Sequence, residues 1–131
     1  MDAKRVLVVD DDADLAKMLK IRIEAEGYEF MSAADGVDML GILKIKKPDV
    51  ILLDIMLPAM DGYSALREMR KNEEYADIPV IILSAKEKKK VGDLFTLEKI
   101  AFFVEKPFET KELMEKIREV ITYGGRRKSN G

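Results

Sequence analysis

Three short stretches constrain the fold more than anything else in the chain: "RVLVVD", "DVILLD" and "IPVIILSA" each carry four consecutive apolar residues rich in Val, Ile and Leu. Successive side chains of a strand point to opposite faces of the sheet. An uninterrupted apolar run therefore suits a strand covered on both sides, as in a parallel sheet, better than one with a solvated face, which would alternate. Two weaker strand candidates are "YEFMSA" and "AFFVE".

Helical spacing fills the intervals. Leu15, Leu19, Arg22 and Ile23 fall near one face with Met18 beside them, and Leu66 and Met69 repeat the spacing after Asp61-Gly62. Leu113, Ile117, Val120 and Ile121 show it most clearly. Asp12 is a plausible N-cap for the first helix, with Asp14 in its favourable first turn. Strand and helix thus alternate five times with short connections, the pattern of an α/β protein with a parallel sheet and helices on both faces.

In an open sheet of this kind the ligand site lies beyond the carboxyl ends of the strands, where the strand order reverses. Asp10 and Asp11 follow the first strand, Asp54 ends the third, Ser84 ends the fourth and Lys106 follows the fifth. All five residues collect at one edge. Three carboxylates there repel one another and call for a cation. Composition narrows the choice: the 131 residues include no histidine and no cysteine, so the ligands are oxygens and the ion is hard, Mg²⁺ or Ca²⁺. A site with few protein carboxylates keeps positions open for water and a phosphoryl group, which favours Mg²⁺. Ser84 and Lys106 are of the right type to hold phosphoryl oxygens. A carboxylate can then attack phosphorus and become an acyl phosphate. Asp54, projected singly from a strand end, is the best candidate.

The bulk numbers exclude other classes. A net charge of -2 argues against a general nucleic-acid binder. No apolar run approaches the roughly 20 residues of a membrane helix, and the N-terminus lacks a signal-peptide pattern. "GGRRKSNG", residues 124–131, has no apolar content and reads as a disordered basic tail, leaving residues 1–123 as the domain.

"VLVVDDD", "LLDIMLPAMDG", "VIILSA" and "VEKPF", in this order and at these separations, resemble the receiver domain of bacterial two-component response regulators over about residues 4 to 122. The resemblance implies a doubly wound five-stranded parallel sheet of flavodoxin-like order 2-1-3-4-5. It implies Asp54 as phosphoacceptor, Asp10 and Asp11 as the acidic pair that binds Mg²⁺, and the backbone carbonyl of Met56 as a further ligand. Ser84 would be the switch hydroxyl, Lys106 the charge partner of the phosphoryl group and Phe103 the aromatic switch. The Lys106-Pro107 bond would be cis. A sensor histidine kinase or phosphotransfer protein would donate the phosphoryl group. The fourth helix, fifth strand and fifth helix would then shift and recruit a downstream protein. The implied setting is cytoplasmic, as a monomer or a phosphorylation-linked homodimer, a signalling domain rather than an enzyme. With no effector domain visible after Ile121, DNA binding by this chain is not expected.

The chain also departs from that family. "LEKIAFFVEKP" stands where Gly-Ala-Asp usually precedes the fifth strand: Lys99 replaces a glycine and Phe102 an acid. "KEKKKVGDLFTLEKI" starts basic and carries Gly92 inside the helix pattern, which predicts a shortened, shifted or mobile fourth helix. Lys88, Lys89 and Lys90 read as a solvated face. Met56 and Lys86 sit where the family tunes acyl-phosphate lifetime. Two rival readings stand beside this one. A phosphohydrolase of the haloacid dehalogenase type would need a second acid two residues after Asp54, where this chain has Met56. A pseudo-receiver would use the fold only for binding or dimerisation, against which the intact Asp54, Asp11 and Lys106 speak.

Overall fold

The three continuous apolar runs are the three inner strands of one parallel sheet. In the computed structural model, which describes residues 3–56, 61–85 and 100–123, the elements follow one another as β1 (Arg5–Val9), α1 (Ala13–Ala25), β2 (Glu29–Ala33), α2 (Gly36–Leu43), β3 (Val50–Leu53), α3 (Gly62–Lys71), β4 (Val80–Ser84), β5 (Phe102–Glu105) and a C-terminal helix (Thr110–Tyr123). The sheet order is β2-β1-β3-β4-β5, every pairing parallel. This is the flavodoxin-like arrangement implied by the sequence, here with four helices among the described residues.

Burial on both faces is visible residue by residue. Leu7, Val9, Ile51, Leu53, Val80 and Ile82 belong to one core with Met39, Leu66 and Met69 of α2 and α3. Their neighbours Val6, Val8, Val50, Leu52, Ile81 and Leu83 belong to the other, with Leu19 and Ile23 of α1 and Leu113, Ile117 and Val120 of the C-terminal helix. Each such side chain is worth about 1.5–3 kcal/mol when fully buried, so a slip of one residue would keep the strands buried but exchange every partner. Phe102 and Phe103 likewise split between the two cores.

Local chemistry sets the element ends. The Asp12 carboxylate accepts from the amides of Asp14 and Leu15 at 3.0 and 3.1 Å, capping α1, a contact type worth about 1 kcal/mol. Gly27 follows the C-cap of α1 with φ 91, a left-handed turn that releases the chain into β2. Arg22, placed with the apolar set by spacing alone, is exposed, while Leu15 and Met18 are half-buried beside it. The buried stripe of α1 is therefore narrow, centred on Leu19 and Ile23. The segments expected to form the fourth helix and the basic tail lie outside the described residues, as do Lys86, Lys88, Lys89, Lys90, Gly92 and Lys99.

The strand order reverses between β1 and β3. Val9 and Leu53 are register partners, so the residues that follow them, Asp10 and Asp54, leave the sheet side by side. The Asp54 amide donates to the Val9 carbonyl at 3.0 Å, which ties the two loops together at that crevice.

Candidate functional site

Asp10 and Asp54 are held by the same device used twice. One oxygen of each carboxylate accepts from the backbone amide two residues on: Asp10 Oδ1 from Asp12 at 2.9 Å, Asp54 Oδ1 from Met56 at 3.0 Å. The other oxygen of each accepts from one shared ammonium. Lys106 Nζ lies 2.7 Å from Asp10 Oδ2 and 3.2 Å from Asp54 Oδ2. Both aspartates are buried, at 6% exposure apiece, and each carboxylate folds back on its own loop. Lys106 is placed by the sheet as well, because its amide donates to the Ser84 carbonyl at 2.8 Å. The Lys106-Pro107 bond is cis, as the resemblance implied.

Asp11 completes the acidic group. Ligating oxygens of Asp10, Asp11 and Asp54 all lie within 4.8 Å of one another, with Asp11 exposed and the other two buried. Among the described residues three carboxylates face one ammonium, so the crevice they form is short of positive charge. Burial pushes the Asp10 carboxyl above its ordinary value, against the pull of its bonds to Lys106 and the Asp12 amide and with Asp54 pushing the same way. Burial also works against the Lys106 ammonium, yet its bonds to Asp10 and Asp54 outweigh that and raise it. The two directions are compatible: the lysine stays charged, and one lysine is not enough to satisfy Asp10. An oxygen-only donor set with a solvent-open member and a charge deficit fits a small divalent ion.

Ser84, at the end of β4, is fully buried. Met56 supplies the amide that orients Asp54, and its side chain is exposed. Phe103 is half-buried against the α2–α3 core, while Phe102 packs on the opposite core under the Lys116 ammonium, 5.2 Å from its ring centre. Asp10, Asp11, Asp54 and Lys106 are thus brought together as the sequence predicted. Pro58, four positions after Asp54 in the sequence, lies outside the described residues.

One residue of the site carried only a turn signal in the sequence. Gly62 opens α3 behind the N-cap Asp61, and its amide donates to the Ile55 carbonyl at 2.9 Å. A Cβ there would run into the Asp54 carbonyl oxygen and lie 2.7 Å from Ile55 Cα. Glycine is a poor helix residue, and its presence at a helical position, with no positive φ to require it, was the available clue.

Comparison with known proteins agrees with this geometry. Residues 6–118 match the family described as the response regulator receiver domain. Relatives described as "probable transcriptional regulator ycf27" include that of Porphyridium aerugineum, 36% identical over 99% of this chain and 53% of its own length. That of Cyanophora paradoxa is 37% identical over 92% and 49%. The chain therefore spans about half the length of these curated relatives. Among solved structures, a CheY-like response regulator receiver domain protein from Methanospirillum hungatei JF-1 superposes with TM-score 0.87, at 27% identity over 94% of this chain and 97% of that one. The receiver domain of sensor histidine kinase PA1611 from Pseudomonas aeruginosa PAO1, with a magnesium ion coordinated in its active-site cleft, superposes with TM-score 0.82, at 27% identity over 92% and 99%. Fold, acidic crevice and sequence agree, and the chain belongs to the response regulator receiver domain family.

Proposed function

We propose that this chain is a phosphoacceptor in a two-component phosphorelay and that Asp54 takes the phosphoryl group. The observation that carries the reading is the Lys106 ammonium lodged between Asp10 and Asp54, beside a third carboxylate that no cation among the described residues neutralises. Asp10, Asp11 and Asp54, with the backbone carbonyl of Met56, would hold Mg²⁺, which when bound offsets the charge of phosphoryl oxygens.

The chain's own residues then have distinct tasks. An Asp54 oxygen forms the new bond to phosphorus while the bond from phosphorus to the donor's histidine nitrogen breaks, and that imidazole regains a proton from water. The Met56 amide keeps the other Asp54 oxygen from rotating. Lys106 turns from the carboxylates to a phosphoryl oxygen, and the Ser84 hydroxyl donates to another. The donor is a sensor histidine kinase or a phosphotransfer protein, in keeping with a chain that holds no histidine of its own.

The product adds about one to two negative charges at the end of a buried strand. Phe103 and Ser84 would pass that change to the face formed by the segment after β4, β5 and the C-terminal helix. A groove of about 510 Å³ lined by Phe103, Pro107, Phe108, Glu109 and Glu112 lies along β5 and the start of the C-terminal helix and supports the use of these elements by a downstream protein. A cytoplasmic setting, as a monomer or a phosphorylation-linked homodimer, goes with this reading.

Incubation of the full chain with Mg²⁺ and acetyl phosphate tests it by intact mass. An acid-stable, base-labile gain of one phosphoryl group, absent in Asp54→Asn and absent with a chelator, is the expected result. A chain that takes no label under any condition is instead a binding module built on the same fold.

A further inference from the structure

We infer that Gly62 is a positioning residue for Asp54: by lacking a Cβ it lets the first turn of α3 press directly on the backbone of the acceptor loop and set where the Asp54 carboxylate points. The inference rests on the reading of Asp54 as the reacting carboxylate, and it concerns what fixes that carboxylate rather than what it does.

The argument begins with what Gly62 does not need. It stands at the first position of α3, directly behind the N-cap Asp61, whose side chain accepts from the Ser64 amide at 2.8 Å. Helical backbone there suits any residue, and glycine is the costlier choice. Space explains it. An added Cβ would collide with the Asp54 carbonyl oxygen, lie 2.7 Å from Ile55 Cα and lie 3.1 Å from the Asp54 carbonyl carbon. All three are backbone atoms, so no side chain can swing away. Either α3 retreats or the Asp54–Ile55 peptide moves.

The second case changes the site. Gly62 is bonded to the same loop through its amide and the Ile55 carbonyl, 2.9 Å apart. Asp54 is pinned on its other side by its own amide to Val9. The loop is thus clamped between β1 and the start of α3, and the carboxylate geometry toward Lys106 and the Met56 amide depends on both jaws. Loss of register by about 1 Å at a reacting group costs on the order of a hundredfold in rate.

Gly41 provides the matched control. It also lies inside a helix, α2, and a Cβ there meets nothing within 4 Å. Helix propensity alone favours alanine at both positions, so Gly41→Ala and Gly62→Ala should behave alike unless the clamp is real.

The test reads Asp54 locally in the full chain. At neutral pH, without metal or phosphoryl donor, the ¹³Cγ resonance of Asp54 and the Lys106 Nζ signal should both move in Gly62→Ala and stay in place in Gly41→Ala. With Mg²⁺ added, affinity should fall at least about tenfold in Gly62→Ala only. In an Asp54→Ala background, Gly62→Ala should cause no further loss of Mg²⁺ affinity, the non-additivity expected of residues acting through one another. Should Gly62→Ala fold poorly, the Gly41→Ala/Gly62→Ala double variant restores stability and is read in its place. Unshifted Asp54 and Lys106 signals, with Mg²⁺ affinity within twofold of the unsubstituted chain, would overturn the inference. A chain that binds no Mg²⁺ and takes no label refutes the proposed function instead, and the Asp54 and Lys106 signals still decide the role of Gly62.

Discussion

The two ends of the same sheet handle charge in opposite ways. At the amino end, the Arg5 and Lys46 side chains face Glu29. Arg5 Nε lies 3.4 Å and Lys46 Nζ 2.7 Å from the two Glu29 oxygens, and the Arg5 amide donates to Asp49 at 2.7 Å. Two cations meet one carboxylate there, and all three side chains are open to solvent to some degree. At the carboxyl end, three carboxylates meet one lysine among the described residues, and two of those carboxylates are buried. The carboxylate of the amino end is fully paired and the end is tolerant of loss. The carboxyl end is short of positive charge among the described residues, and under the proposed function that deficit is what suits it to a cation and then an anion.

Glu29 and Asp10 show the contrast in their ionisation. The bond from Lys46 holds the Glu29 carboxyl below its ordinary value in spite of the desolvation that opposes it, with Arg5 adding to the effect. The Asp10 carboxyl is raised by burial despite a lysine contact of the same 2.7 Å. Equal ion-pair distances therefore do not mean equal compensation, because the buried member loses more hydration than one shared ammonium returns.

The largest expected break of this contrast is in chemistry. Lys106→Met should slow labelling by acetyl phosphate by about a hundredfold or more, whereas Lys46→Met should leave the rate within twofold, both followed by intact mass over time. A labelling rate equally affected by both would erase the distinction between the ends.

Stability gives the next largest difference. Removing Lys106 leaves two buried carboxylates without their cation and should cost about 2 kcal/mol, a figure reduced from that of a fully buried pair because the lysine is partly exposed. Urea melts of Lys106→Met with and without Mg²⁺ would show it, and saturating Mg²⁺ at a hundredfold over its dissociation constant should return about 2.7 kcal/mol to any form that binds it.

The pH dependence is smaller and has a definite sign. A carboxyl raised in the folded state binds protons more readily there than in the unfolded chain. Between the ordinary value near 3.8 and the raised one, the Asp10 contribution to metal-free stability falls as pH rises. Asp10→Asn should flatten that slope in metal-free melts, and Glu29→Gln should act in the opposite sense, removing stability that is lost as pH falls. The smallest effect belongs to the amino end, where Lys46→Ala should change stability by less than about 0.5 kcal/mol and leave Mg²⁺ affinity unchanged.

Much of this arrangement was legible in the residues. Val50 to Leu53 announced a strand buried twice over because no polar residue interrupts it, and the acids behind each run fell at one sheet edge once the strands were parallel. The cap at Asp12 was readable for the same reason: a short acid before a helical pattern has few other uses. What the sequence hid depends on distances between remote segments. It placed Lys106 near the acids and left open that one ammonium would bridge Asp10 and Asp54. It marked Gly62 as part of a turn, since a close backbone approach leaves no periodic pattern. Helix α2 gave a weak signal, because eight residues with Gly36 and Gly41 among them offer little amphipathic contrast.

The charge deficit at the carboxyl end is the central claim, and a calorimetric titration of Mg²⁺ into the full chain tests it most directly. The account predicts one ion per chain, weakened at least about tenfold by either Asp11→Asn or Asp54→Asn and unaltered by Glu29→Gln. Absence of saturable binding, or binding that survives both substitutions in the crevice, would contradict it.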